Sequence, residues 1–182
     1  MQNPPVSPIL IFLVGARASG KTTVGRALAR RLGLPFVDTD AAVTSAAGKT
    51  VPAIVAAKGW PAFRPQESAA LRATVAKYPQ GAVIATGGGM VLAVENRRFM
   101  RERGVVFYLE ATAPLLVARL TSSPLASQRP SLTGKGVAAE MKQVLAHRAP
   151  LYLEAAHHRL DAALPLEHLC EAAAALLPPA AE

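Results

Sequence analysis

The chain has 182 residues, 51% of them hydrophobic, and carries 20 Lys and Arg against 12 Asp and Glu for a net charge of +8. One domain of ordinary size with ample core material is expected, which excludes global disorder. The positive balance favours anionic partners, but the basic residues are scattered and only 5% of the chain is aromatic; nucleic acid is not expected, and small phosphorylated or carboxylated molecules account for the charge.

Met1–Pro8 has three prolines and no basic n-region, and reads as a frayed start to a single domain over 9–177. The apolar run Ile9–Val14 is far too short to span a bilayer. It leads into a Gly-rich turn, as a strand buried on both faces of a parallel sheet does. Lys21–Leu32 has apolar residues at helical spacing and stops at Gly33 and Pro35. Phe36–Asp38, Ala82–Thr86, Val105–Leu109 and the weaker Arg159–Asp161 read as further strands. Between and after them, Ser68–Ala76, Asn96–Arg103, Pro114–Leu120, Val137–His147 and Leu166–Leu177 read as helices, and 178–182 as a tail. This alternation predicts an α/β fold, a five-stranded parallel sheet with helices on both faces and ligands outside the carboxyl ends of the strands. The single Cys170 excludes an intrachain disulfide and reads as a small buried hydrophobe. A monomer in a reducing cytoplasm, with no membrane partner, fits these signs. His147, His157, His158 and His168 lack acids or cysteines at ligand spacing and read as surface or packing residues.

Gly15-Ala-Arg-Ala-Ser-Gly20-Lys21-Thr22 matches G-x-x-x-x-G-K-[ST] without a mismatch, after a strand and opening a helix. In such a P-loop the glycines turn backbone N–H groups inward around the phosphates of ATP. Lys21 reaches the β- and γ-phosphates, and the Thr22 hydroxyl ligates Mg²⁺. The metal's water shell also wants a carboxylate. The run at Ala82–Thr86 ends in Thr and Gly, whereas Asp38-Thr39-Asp40 follows the second strand. Side chains alternate along an extended chain, so Asp38 and Asp40 point the same way, one to the metal and the other to an acceptor hydroxyl. Asp40 alternatively only caps a following helix.

An ordered series extends this pattern: GARASGKTT at 15–23, FVDTD at 36–40, GWPAFRPQES at 59–68, ATGGGMV at 85–91, QRPSLTG at 128–134 and HRAPLY at 147–152. As a set it resembles the shikimate kinase family, in the isoenzyme type with Asp-x-Asp after the second strand. The resemblance implies a nucleoside-monophosphate-kinase-like fold with a lid, here about 121–135, and a substrate-binding arm. It implies transfer of the γ-phosphoryl of ATP to the 3-hydroxyl of shikimate. Gly15, Ala18, Ser19, Gly20, Lys21, Thr22 and Thr23 would then meet the nucleotide, with Arg119 beside the adenine and Arg129 of the lid against the transferring phosphoryl. Ala162–Pro165 would border the adenine. Arg64 and Arg148 would hold the shikimate carboxylate through charge-assisted forks, with Glu67 steadying Arg64. Gly87, Gly88 and Gly89 would bring backbone to the substrate, with the Gly88 N–H touching it. Asp38 would join Thr22 at Mg²⁺, and Asp40 would orient or deprotonate the nucleophile. Trp60 and Phe63 would line the arm. A kinase for another sugar acid such as gluconate, and a non-catalytic ATP sensor, are the rival readings. The intact Asp40 and Arg129 argue against the sensor, and the paired arginines favour a cyclic carboxylate with vicinal hydroxyls.

Overall fold

The computed structural model describes residues 9–122 and 136–179. Five parallel strands form one sheet: β1 (Ile9–Val14), β2 (Phe36–Asp38), β3 (Gly81–Ala85), β4 (Val105–Glu110) and β5 (His158–Asp161), in the order β2-β3-β1-β4-β5. The described helices are α1 (Lys21–Leu32), α2 (Thr39–Ala47), α3 (Val51–Lys77), α4 (Val94–Arg103), α5 (Ala113–Thr121), α6 (Val137–Ala155) and α7 (Leu166–Ala175). β1 lies between β3 and β4, so the chain departs to both sides of it, and the loop after β1 sits where such sheets open a crevice.

Side chains alternate across the sheet, which explains why the central strands read as unbroken apolar runs. Phe12, Val14, Ile84, Val106 and Tyr108 face one way and pack with Leu71, Met100, Leu116, Met141 and Tyr152 from α3 to α6. Ile11, Leu13, Val83, Phe107 and Leu109 face the other way, against Val24 and Leu28 of α1 and Leu169 and Cys170 of α7. Cys170 is buried, in keeping with its apolar surroundings in sequence. The His157 Nδ1 accepts a hydrogen bond from the Val106 N–H at 3.1 Å, so this imidazole serves the sheet edge. Among the described residues, no helix is long and apolar enough to cross a membrane.

Three elements differ from the sequence reading. The chain does not stay extended past Asp38: Asp38 caps α2, its Oδ1 accepting from the Asp40 N–H at 3.0 Å and the Ala41 N–H at 3.4 Å. The expected strand-like alternation of Asp38 and Asp40 therefore does not apply, and the capping acid is Asp38 rather than Asp40. Helix α3 begins 17 residues before the expected Ser68, at Val51. It bends at Gly59 (φ 73°, ψ 171°), and Pro61 falls in the first turn after the bend, where a proline's missing N–H costs little. Helix α6 runs on past His147 and through Pro150, because Tyr152 and Ala155 of its last turns are buried against the sheet. Smaller shifts occur at strand and helix ends. Thr86 leaves β3, and Thr121, expected in the lid, closes α5.

Gly81, the first residue of β3, has φ 103°, and a Cβ there would meet the Ile9 carbonyl oxygen at 2.5 Å. The obstacle is backbone of the neighbouring strand and cannot swing aside. Gly81→Ala is expected to lower stability by about 2–4 kcal/mol, combining overpacking with a left-handed backbone. Urea denaturation with an unchanged slope would measure it, and a loss under about 0.5 kcal/mol would contradict the packing described.

Candidate active site

Two glycine-bearing segments meet at the carboxyl edge of the sheet, and each has its own reason for glycine. The first joins β1 to α1. Its backbone turns left-handed at Gly15 (φ 148°), Ala18 (φ 65°) and Gly20 (φ 98°), and Ala18 is the one non-glycine residue with positive φ among the described residues. A Cβ on Gly15 would lie 2.8 Å from the Leu109 carbonyl oxygen. The loop thus closes tightly on the end of β4. Lys21 bends back over it, its Nζ donating to the carbonyls of Gly15 (2.9 Å) and Ala16 (2.8 Å) and to the Ser19 hydroxyl at 3.4 Å. An ammonium held in the middle of an anion-binding loop is available to phosphate oxygens. Ser19 itself is buried, and Thr23 is exposed on the first turn of α1.

Arg119 of α5 closes one side of the loop. Its Nη1 donates to the Ser19 carbonyl at 3.4 Å and its Nη2 to the Ala162 carbonyl at 2.7 Å. It thereby joins the loop to the segment after β5.

On the other side, the Thr22 hydroxyl donates to Asp38 Oδ2 at 3.0 Å. Asp38 divides its carboxylate, one oxygen capping α2 and the other reaching the P-loop threonine. Asp40 faces a different way, into the segment after β3. A Cβ on Gly87 would lie 2.6 Å from Asp40 Oδ1 and 2.7 Å from Glu67 Oε1, and a Cβ on Gly89 would fall inside the Arg64 guanidinium. None of Gly87, Gly88 and Gly89 has a positive φ. At Gly87 and Gly89 the missing side chain leaves room for charged groups rather than permitting a turn. Gly88 is less crowded, its nearest neighbours for a Cβ standing at 3.6–3.8 Å. The Gly87 N–H donates to Thr39 Oγ1 at 3.0 Å, which ties this segment to the start of α2.

Arg64 and Glu67 form an ion pair one turn apart on α3. Glu67 is 2% exposed. Burial pushes its carboxyl above the ordinary carboxylate range, Arg64 pulls the other way, and Asp40 adds to the rise. Arg64 also lies over the Trp60 ring at 4.8 Å, where the aromatic face attracts its charge. Of the two aromatics read as walls of the arm, Trp60 lines the cleft. Phe63, 1% exposed, packs with Val43 and Ile54 in a small core of its own. From α6, Arg148 reaches across so that its Nη1 donates to the Gly88 carbonyl at 3.1 Å. A cleft of about 390 Å³ opens between Trp60, Arg64, Leu92, Val144 and Arg148. A second space of about 250 Å³ shares Arg64 and Leu92 and reaches Glu67, Gly89 and Asn96. Two guanidiniums on the walls of a small cleft next to an anion-binding loop can hold a carboxylated molecule beside a nucleotide.

The sequence-predicted residues are therefore brought together in two groups. Gly15 to Thr22, Asp38 and Arg119 surround the loop after β1, and Asp40, Arg64, Gly87–Gly89 and Arg148 surround the segment after β3. Arg129 and the rest of QRPSLTG lie outside the described residues, as does most of the expected lid. Sequence reasoning missed the structural parts of Thr39 and Tyr152. Thr39 is one of many threonines in the chain. Tyr152 stands four residues after Arg148, on the same helical face, and that spacing was the available signal.

A family model for shikimate kinase matches residues 17–175, nearly the whole described fold. The chain belongs to the shikimate kinase family. It is thus an ATP-dependent phosphotransferase of the shikimate pathway, which leads to the aromatic amino acids. Shikimate kinase 2 of Syntrophotalea carbinolica is 54% identical over 167 residues, covering 92% of this chain and 95% of its own length. The shikimate kinase of Nitratidesulfovibrio vulgaris is 52% identical, covering 92% of this chain and 94% of its own. The structure of shikimate kinase from Acinetobacter baumannii, in complex with shikimate, aligns with a TM-score of 0.85 at 33% identity, covering 92% of each chain.

Within the kinase site Lys21 is the cation at the centre of the phosphate loop. Lys21→Ala is expected to reduce ATP-dependent transfer by more than about 10³-fold, because the P-loop motif assigns its charge to the β- and γ-phosphates. Coupled detection of ADP is the measurement, and turnover within tenfold of the unsubstituted enzyme would contradict the assignment.

Proposed function

We propose that this site moves the γ-phosphoryl group of ATP to the 3-hydroxyl of shikimate, yielding shikimate 3-phosphate and ADP. The observation that carries the reading is the gathering of Arg64, Arg148, Asp40 and Glu67 around Gly87–Gly89, beside the P-loop. An acceptor with one carboxylate and several hydroxyls meets both its needs there. Two guanidiniums face its carboxylate, and a carboxylate faces its hydroxyls. Family membership and the acceptor in the Acinetobacter baumannii complex support the same substrate.

In this reading Lys21 and the backbone N–H groups of Gly15–Thr23 hold the phosphates, with Arg119 bracing the loop toward the adenine. Thr22 and Asp38 present oxygen donors side by side, joined by a 3.0 Å hydrogen bond, and a hard divalent cation such as Mg²⁺ suits that pair. When bound, Mg²⁺ neutralises charge on the β- and γ-phosphate oxygens. Asp40 holds the acceptor hydroxyl in line with the γ-phosphorus. As the hydroxyl oxygen bonds to phosphorus and the bond to the ADP oxygen breaks, the hydroxyl proton passes to Asp40. Because the phosphoryl transition state is loose, orientation is the larger part of that work. The part assigned to Arg129, meeting the transferring phosphoryl, rests on its motif alone. We further place the enzyme in the cytoplasm as a monomer acting on small molecules, not on nucleic acid.

The test is ADP release with shikimate against gluconate and other hydroxy acids. Shikimate is expected to exceed the open-chain acids in kcat/KM by more than about 10²-fold, since an open-chain acid carries the same carboxylate but does not hold its hydroxyls at the fixed positions of a ring. Comparable rates with gluconate would favour the rival kinase reading. Arg64→Ala and Arg148→Ala are each expected to weaken shikimate binding by about 2–5 kcal/mol by calorimetry, with nucleotide binding nearly unchanged.

The two acids are expected to fail differently. Asp38→Asn is expected to raise the Mg²⁺ concentration needed for half-maximal rate, and excess Mg²⁺ restores part of the loss by mass action. Asp40→Asn is expected to lower transfer by about 10²–10⁴-fold at any Mg²⁺ concentration. Titrating Mg²⁺ at saturating ATP and shikimate separates them. Equal recovery of both variants would show that the roles are not divided in this way.

A further inference from the structure

Helix α6 carries Arg148 and Tyr152 four residues apart, one above the other on the face turned toward the sheet. Tyr152 is 1% exposed and its ring stacks on Tyr108 of β4, centroids 5.1 Å apart and planes at 25°. A phenylalanine satisfies that much. The hydroxyl needs its own explanation, because it is a polar group carried into a buried place. It donates to the Gly88 carbonyl at 2.7 Å, the same oxygen that accepts from Arg148 Nη1 at 3.1 Å. Burial pushes the Tyr152 phenol up to about 12, outweighing the opposite pull of Arg148, so the hydroxyl remains a donor throughout the physiological range.

One carbonyl therefore receives two donors from one helix. A trans peptide is planar, with its C=O and N–H on opposite sides. Drawing the Gly88 oxygen toward α6 consequently turns the Gly89 N–H away from that helix. Gly88 has no positive φ and no side chain to hold its orientation, so external donors must do so. The hydroxyl thus shares this oxygen with Arg148 Nη1.

We propose that Tyr152 is a positioning residue for the acceptor: by holding the Gly88 carbonyl it orients the Gly88–Gly89 peptide and sets Arg148 at a defined spacing from it. This rests on the reading of Arg148 and the glycine segment as the acceptor side of the site. It predicts a selective defect. Gly88 lies against the phosphate loop, a Cβ on it standing 3.6 Å from the Arg17 N and the Gly15 carbonyl oxygen, but the donor that is lost comes from α6, so nucleotide affinity is expected to change less than acceptor affinity.

The experiment uses Tyr152→Phe, which keeps the ring and its stacking on Tyr108, in the full-length enzyme. The KM for shikimate is expected to rise about 5- to 30-fold, the effect of one hydrogen bond lost next to a charged group, with the KM for ATP and kcat at saturation changed by less than about twofold. In an Arg148→Lys background the same substitution is expected to add less than about twofold, because it acts through Arg148. An unchanged shikimate KM, or equal rises for shikimate and ATP, overturns the proposal. Amide NMR of the ligand-free enzyme gives a second arm independent of the acceptor. Gly89 and the Arg148 side-chain N–H are expected to shift in Tyr152→Phe while Gly20 and Gly33 do not. If the unsubstituted enzyme shows no shikimate-dependent ADP release, the functional reading fails on its own. Unmoved Gly89 and Arg148 signals overturn the positioning whatever the acceptor.

Discussion

The site depends on how β1 and β3 end. Leu13 pairs with Ala85, and one residue later the Thr86 N–H and hydroxyl both donate to the Leu13 carbonyl, at 3.1 and 3.0 Å. That double contact closes the last rung of the ladder where both strands give way to glycine-rich segments. Because the strands are parallel and in this register, the phosphate loop and Gly87–Gly89 emerge at the same height on the same edge of the sheet. On the reading proposed above, a donor and an acceptor held by the two segments are neighbours before any side chain is considered.

Charge is concentrated around Gly87–Gly89 and largely compensated there. Glu67 is buried beside Arg64, with Asp40 and Arg148 near enough to act on it. Two acids and two guanidiniums packed about a peptide without side chains form a set in which each charge restrains another. The cost of burying Glu67 shows in its raised pKa, and the ion pair with Arg64 offsets part of it. On the proposed reading, an incoming carboxylate would meet guanidiniums already held by Glu67 and the Gly88 carbonyl, so less side-chain freedom would be lost on binding.

Two helices contribute to the site from a distance. On α3 the bend at Gly59 redirects the chain so that Trp60 and Arg64 face the cleft while Phe63 turns into a separate small core. On α6 the passage through Pro150 keeps Arg148 and Tyr152 on one continuous helix, and the buried Tyr152 ring secures that helix to β4. Arg97 of α4 adds to this frame. Its Nη1 donates to the Val91 carbonyl at 2.7 Å, steadying the 3₁₀ turn Met90–Leu92 that follows the glycines, while its Nε meets Glu154 of α6.

By itself the sequence determined the strand order of events along the chain, the phosphate loop and the residue types of the site. Ile9–Val14, Lys21–Leu32 and Phe36–Asp38 were legible to the residue, since unbroken apolar runs, helical spacing and Gly-Pro stops are local signals. The motif series named Asp38, Asp40, Arg64 and Arg148 together. Only the tertiary structure decided what each does with its neighbours. Asp38 and Asp40 look equivalent in an extended chain, but the start of α2 at Thr39 sends one to Thr22 and the other to Gly87. The length of α3 was hidden by Gly59, Pro61 and Pro65, which break helical periodicity unless packing with α2 holds the segment in place. The glycines after β3 read as a place where backbone is approached. That they make room for Asp40, Glu67 and Arg64 depends on segments up to about 50 residues away in the chain, and contacts at that range leave no periodic trace in a single sequence.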